Sequence, residues 1–179
     1  MLISTELFGV TRNRILLDRA IEEAEGYTEL GMVEHALLAL QRRGSLAHGN
    51  GRACLLLGEA LRELGRYEEA LLPLERSVDL MPDDIHVLLA LGWCYKRTGQ
   101  LAKAIDVLER AVKIESGEAI LHYNLACYWS LARNRGAALR HLQQAFEIDA
   151  NFRDMVSDEQ DFDPIRHDAE FIALTSVIV

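Results

Sequence analysis

The chain has 179 residues, 50% of them hydrophobic and 26% charged, with only 3 Pro and 12 Gly, which excludes both a disordered chain and a linker-rich assembly. Its 28 acidic against 19 basic residues leave a net charge of −9, so a polyanion such as DNA or RNA is disfavoured as a partner. The three cysteines, at 54, 94 and 127, form neither a Cys-x-x-Cys pair nor an even secretory framework, and they read as reduced thiols of a cytoplasmic protein.

Taken in chain order, residues 1–16 form an N-terminal extension. Met1 to Val10 carries Glu6 and Gly9 within its apolar stretch and places Arg12 and Arg14 after it, the wrong order for a secretory signal. From Gly31 onward a single period takes over. Gly-Met-Val-Glu-His-Ala from Gly31, Gly-Arg-Tyr-Glu-Glu-Ala from Gly65 and Gly-Gln-Leu-Ala-Lys-Ala from Gly99 end at Ala36, Ala70 and Ala104, 34 residues apart. A fourth copy puts Ala138 a further 34 residues on, with Arg133 in place of the glycine. Helical periodicity on both sides of each glycine predicts two amphipathic helices of about a dozen residues joined by a left-handed turn.

Small side chains allow the two helices of a hairpin to cross closely, and each copy supplies a pair: Ala24 with Ala36, Gly58 with Ala70, Gly92 with Ala104, Ala126 with Ala138. Leu57, Leu61 and Leu74, then Leu91, Tyr95 and Leu108, then Leu125, Trp129 and Leu142 are the large core residues around the crossings. The most apolar stretch, Ile85 to Tyr95, holds His86 and is far short of the ~20 residues that cross a bilayer, so membrane insertion is not expected. Between the first two copies, Gly44-Ser45-Leu46-Ala47-His48-Gly49-Asn50-Gly51 lacks the proline that stiffens the next joint at Pro82, and it reads as a mobile joint, a hinge or a long surface loop. Near the carboxyl end, Asp163 with Pro164 reads as a capped helix start, and Asp168 before Ala169-Glu170-Phe171 as another. The apolar tail, Thr175 to Val179, is expected to pack on the last helix.

Leu57-Gly58, Leu61, Gly65, Tyr67, Ala70, Leu74 and Pro82 stand at the offsets of the tetratricopeptide repeat family, which the chain resembles over four repeats, 17–50, 51–84, 85–118 and 119–152. The resemblance implies an all-α, right-handed superhelix of stacked antiparallel helix hairpins, closed here by a C-terminal cap over 153–179. The run from Asp161 to Phe171 is similar to an ending found on many bacterial members, which implies a bacterial source. In that fold the first helix of each pair lines a concave groove. By helical geometry and the resemblance, the ligand-facing positions are His86, Leu89, Ala90, Trp93, Lys96 and Arg97 in repeat three, and Ile120, Tyr123, Asn124, Cys127, Ser130 and Leu131 in repeat four.

Charge by segment places a basic centre, +3 over 119–146, beside an acidic end, −7 over 147–179. The candidate peptide-binding residues are therefore His86, Trp93, Lys96, Arg97, Tyr123 and Asn124. Trp93 and Tyr123 offer large rigid contact area. Asn124 matches an asparagine that contacts ligand backbone in the resembling proteins. Lys96, Arg97 and His86 offer charge to a partner's carboxylates. The carboxylate clamp of resembling co-chaperones needs Lys and Asn where this chain has Ile21 and Glu25.

The glycines form no phosphate loop, and the six histidines and three cysteines no metal-ligand spacing, so neither cofactor nor metal is expected. A nucleophilic arrangement of Cys94, Cys127 and His122 is outweighed by the buried, inert role of cysteine in helical hairpins, and no enzyme is expected. The sequence thus points to an adaptor that holds a protein or peptide segment in the groove of repeats three and four. The alternatives are a chaperone for a secretion-system client and a self-assembling scaffold, which is a homo-oligomer.

Overall fold

Helix boundaries recur at the spacing of the small residues. In the computed structural model, which describes residues 2–176 and the side chains of 11–176, α1 (Leu2–Glu29) pairs with α2 (Val33–Gln41), and a one-turn helix α3 (Ser45–His48) follows. Next come the hairpin of α4 (Gly51–Glu63) with α5 (Tyr67–Leu80), then α6 (Ile85–Arg97) and α7 (Leu101–Ile114) in succession, and the hairpin of α8 (Ala119–Leu131) with α9 (Arg135–Ile148). Then come α10 (Phe152–Met155), a 3-10 helix (Gln160–Ile165) and α11 (Ala169–Thr175). No strand occurs among the described residues, and no helix there is long and apolar enough to cross a membrane. The chain divides into two compact units between Cys94 and Tyr95, and α6 runs through the division.

Each hairpin turns on a residue in the left-handed region: Gly31 at φ 70°, Gly65 at 72°, Gly99 at 76° and, in the fourth copy, Arg133 at 58°. The turns share one hydrogen-bond pattern. At Gly65, its N–H donates to Arg62 O at 3.0 Å and the Arg66 N–H reaches back to Leu61 O at 2.9 Å; Arg133 and Asn134 bond Ser130 O and Trp129 O in the same way. The left-handed conformation costs an L-residue roughly 1–2 kcal/mol and glycine almost nothing. Arg133→Gly is therefore expected to raise the unfolding free energy by about 1 kcal/mol in urea titration.

The predicted small residues are buried. Ala24, Ala36, Ala70, Ala104, Ala126 and Ala138 are all buried, and Gly58 lies so near Leu74 that a Cβ on it meets Leu74 Cγ at 2.4 Å. Leu57, Leu61, Leu74, Leu91, Tyr95, Leu108, Leu125 and Leu142 are buried in turn.

Two local expectations are corrected. The joint over 44–51 is not an open loop: α2 stops at Gln41, Gly44 at φ 50° redirects the chain, and α3 folds inward with Ala47 buried. Its carbonyls are used, since Cys54 Sγ lies 3.5 Å from both Ala47 O and His48 O, and Asn50 then caps α4 by accepting from Ala53 N–H at 2.9 Å. Asp163 does not cap a helix at Pro164. Glu159 starts the 3-10 helix instead, accepting from Asp161 N–H at 3.0 Å, while Pro164, which has no N–H to donate, lies inside it and Asp163 pairs with Arg166. Asp168 does cap α11, accepting from Glu170 and Phe171 N–H. The tail residues Val177, Ile178 and Val179 lie outside the described residues.

Candidate functional site

The six candidate residues fall on two helices, and the structure exposes them unequally. His86, Trp93 and Arg97 on α6 are exposed, Trp93 by 36%. Lys96 on α6 and Asn124 on α8 are half-buried, and Tyr123 on α8 is buried. Asp84 sets the start of α6, accepting from His86 N–H at 2.9 Å and Val87 N–H at 3.3 Å.

In the first unit, α4 and the first ten residues of α6 gather charge around a half-buried carboxylate. Glu59 is pushed above the ordinary range by burial, against the pull of Arg62 first, then Arg52 and His86. Arg62 Nε is buried without a hydrogen-bond partner. Leu55 and Leu56 on α4 are buried among their neighbours, and one ligand-facing expectation from the repeat register fails here. Ala90 on α6 is buried as well.

In the second unit, the face of α8 assigned to a ligand is covered by the chain's own carboxyl end. Tyr123 packs against Phe152 with ring centroids 5.1 Å apart and meets Phe162 edge-on at 5.7 Å. Its hydroxyl donates to Met155 O at 3.3 Å, and burial raises the phenol's pKa. Lys96 Nζ forms an ion pair with Asp161 at 2.5 Å, both side chains mostly shielded, and lies 5.7 Å from the centroid of the Tyr128 ring. Arg135 binds Asp168 at 2.8 Å. The carboxylate that Lys96 was expected to find on a partner is thus supplied by Asp161 of the same chain, and Arg135 of the basic stretch over 119–146 is paired with the same acidic end. Cys127 and Ser130, also assigned to the ligand face, are buried.

No thiol is set up as a nucleophile. Cys54, Cys94 and Cys127 are free and buried, and burial raises each thiol, Cys94 to about 11, so all three stay protonated at neutral pH. His122 is engaged elsewhere. Its Nε2 donates to Ser116 O at 3.2 Å, and its Nδ1 lies 3.1 Å from His141 Nδ1. Burial, then the charges of His122 and Arg140, lowers His141 to about 4. A histidine depressed in the folded state binds fewer protons than in the unfolded state, so its stabilising effect is complete above pH 6.5 and is lost as pH falls toward 4. Urea titrations between pH 4 and 7 should show stability falling more steeply for the wild type than for His141→Gln.

Repeated hairpins with these caps and crossings define an all-α helical-repeat protein. Two models described as Tetratricopeptide repeat match residues 34–85 and 65–125. Together they span 92 of the 179 residues, and the chain belongs to the tetratricopeptide repeat family. Similar solved structures agree. One described as the crystal structure of MamA has 19% identity and a TM-score of 0.72, covering 84% of this chain and 86% of that one. MamA 41-end from Desulfovibrio magneticus RS-1 has 22% identity and a TM-score of 0.70, covering 75% and 76%. YrrB, described as a TPR protein with an unusual peptide-binding site, has 24% identity and a TM-score of 0.70, covering 75% and 70%. No curated protein matches the chain. The family and fold are those of protein-interaction modules, which are typically non-enzymatic.

Proposed function

We propose that the protein is a non-enzymatic adaptor that holds a protein or peptide segment, with Trp93 as its principal open anchor. The observation that carries this reading is the exposure of Trp93 on the same helix as the exposed His86 and Arg97. A large aromatic flanked by a ring nitrogen and a guanidinium is the composition of an interaction hot spot. The peptide-binding site named for YrrB supports the reading, as do the three thiols, which burial keeps protonated at neutral pH. Three buried free cysteines support a reducing compartment, and we place the protein in the cytoplasm of a bacterium, the ending from Asp161 to Phe171 being of the bacterial kind.

Because Tyr123 is a core residue of its unit, a Tyr123→Ala variant loses stability along with any contact, and Trp93→Ala is the cleaner probe. Affinity capture from the native cell with the wild type, followed by titration of the captured protein, should show Trp93→Ala weakening the complex by tenfold or more, about 1.4 kcal/mol or above. Equal affinity for a folded Trp93→Ala variant removes Trp93 as the anchor. Light scattering of the pure protein tests the self-assembling alternative: growth of mass with concentration favours it, and a constant monomer mass rejects it.

A further inference from the structure

A helix-hairpin array needs its last helix covered. In the second unit, α10 and α11 lie against α9 and meet that need, whereas the 3-10 helix lies against α8, the helix whose face the repeat register assigns to ligands. Its contacts are those of a bound peptide. Phe162 is fully buried and meets Tyr123 edge-on, Ile165 is buried three residues further, Asp161 pairs with Lys96, and Asp163 and Pro164 between the two anchors face solvent. The segment's neighbours in sequence are fastened by one side chain. Arg166 donates from Nη2 to Glu159 O at 2.7 Å and from Nη1 to Ser157 O at 3.2 Å and Val156 O at 3.4 Å, while its Nε bonds Asp163 Oδ1 at 2.8 Å. The guanidinium fork thus closes the loop that returns the chain to α8.

We propose that the face of α8 with Lys96 and Tyr123 is a binding site for an acidic-aromatic segment of the form Asp-Phe-x-x-Ile, and that residues 160–165 are its resident ligand, held in place by the Arg166 clasp. A partner segment of the same chemistry, with a carboxylate for Lys96, an aromatic ring for Tyr123 and an aliphatic side chain three residues on, takes the place of the resident one when the clasp opens. This deepens the adaptor reading by naming the segment's chemistry. Its test uses a synthetic peptide and Arg166→Ala, whereas the adaptor test uses a captured partner and Trp93→Ala, so the two fail separately.

The test uses the full chain and a fluorescein-labelled synthetic peptide of residues 158–168, with a second peptide in which Phe162 is alanine. Fluorescence anisotropy should show the peptide binding to Arg166→Ala at least tenfold more tightly than to wild type. Lys96→Glu added to Arg166→Ala should weaken binding about tenfold, and the alanine peptide should bind neither protein. A folded Arg166→Ala variant that takes the peptide no better than wild type overturns the proposal, as does equal binding of both peptides. Should Arg166→Ala fail to fold, Asp161→Asn replaces it with the same expectations. In the unmodified protein, amides of 160–166 should exchange hydrogen at least a hundredfold faster than those of α8, since a detachable segment opens without its seat. Exchange of both at one rate means a fixed structural cap and overturns the proposal.

Discussion

Phe162→Ala is expected to lower the unfolding free energy by about 3–5 kcal/mol, the range for removing a phenyl ring from a closed core. Phe162 is fully buried, with Tyr123 edge-on at 5.7 Å and Phe171 at 5.5 Å, so its loss strips contact from α8 and from α11 together. The edge-on pair with Tyr123 adds to what area alone gives, since the ring edge and ring face carry opposite partial charge. Differential scanning calorimetry measures the effect. Phe171→Ala, buried in the same cluster, should cost a comparable amount, and the double variant should cost less than the sum because the two rings share one contact. A drop below about 1 kcal/mol for Phe162→Ala means that the segment contributes little to the folded unit.

The hairpins were legible because their cause is local and periodic. Ala36, Ala70, Ala104 and Ala138 recur at one spacing since each stands where two helices cross, and the turn position recurs because its backbone is left-handed. Even the departure at Arg133 left the geometry intact: the capping bonds from Arg133 and Asn134 hold a residue that sterics disfavour. The one-turn helix in the joint after repeat one is not legible, because its glycines read as a loop, while burial of Ala47 and the use of its carbonyls by Cys54 depend on helices elsewhere in the chain. The site was legible only in part, for a similar reason. Lys96 and Asp161 are 65 residues apart, and nothing periodic links them. Segment charge held the trace, an acidic carboxyl end beside a basic fourth repeat. The trace points to a partner's carboxylates as readily as to the chain's own, and the chain itself satisfies it at Arg135, as it does the Lys96 of repeat three. Trp93 stays exposed on α6, whereas Tyr123, the other aromatic of the expected ligand face, is covered.

At the crossing of α4 and α5, Gly58→Val is expected to lower the unfolding free energy by about 3 kcal/mol, the upper part of the overpacking range. A Cβ at residue 58 falls 2.4 Å from Leu74 Cγ and 2.5 Å from its Cδ2, distances that real side chains do not tolerate, and Leu74 is wholly buried. Two β-branched methyl groups add to the clash. Glycine costs roughly 0.5–1 kcal/mol in a helix interior, so the substitution recovers some of that through backbone entropy, and the clash exceeds it. Gly26 in α1 is the control. A Cβ there meets nothing within 4 Å, so Gly26→Ala should raise stability by about 0.5–1 kcal/mol while Gly58→Val lowers it. Urea denaturation of the two variants gives the comparison, and Leu74→Ala introduced with Gly58→Val should restore part of the loss by making room at the crossing. If Gly58→Val is neutral, the hairpin does not depend on close approach at its small pair, and the 34-residue recurrence of Ala and Gly needs another cause.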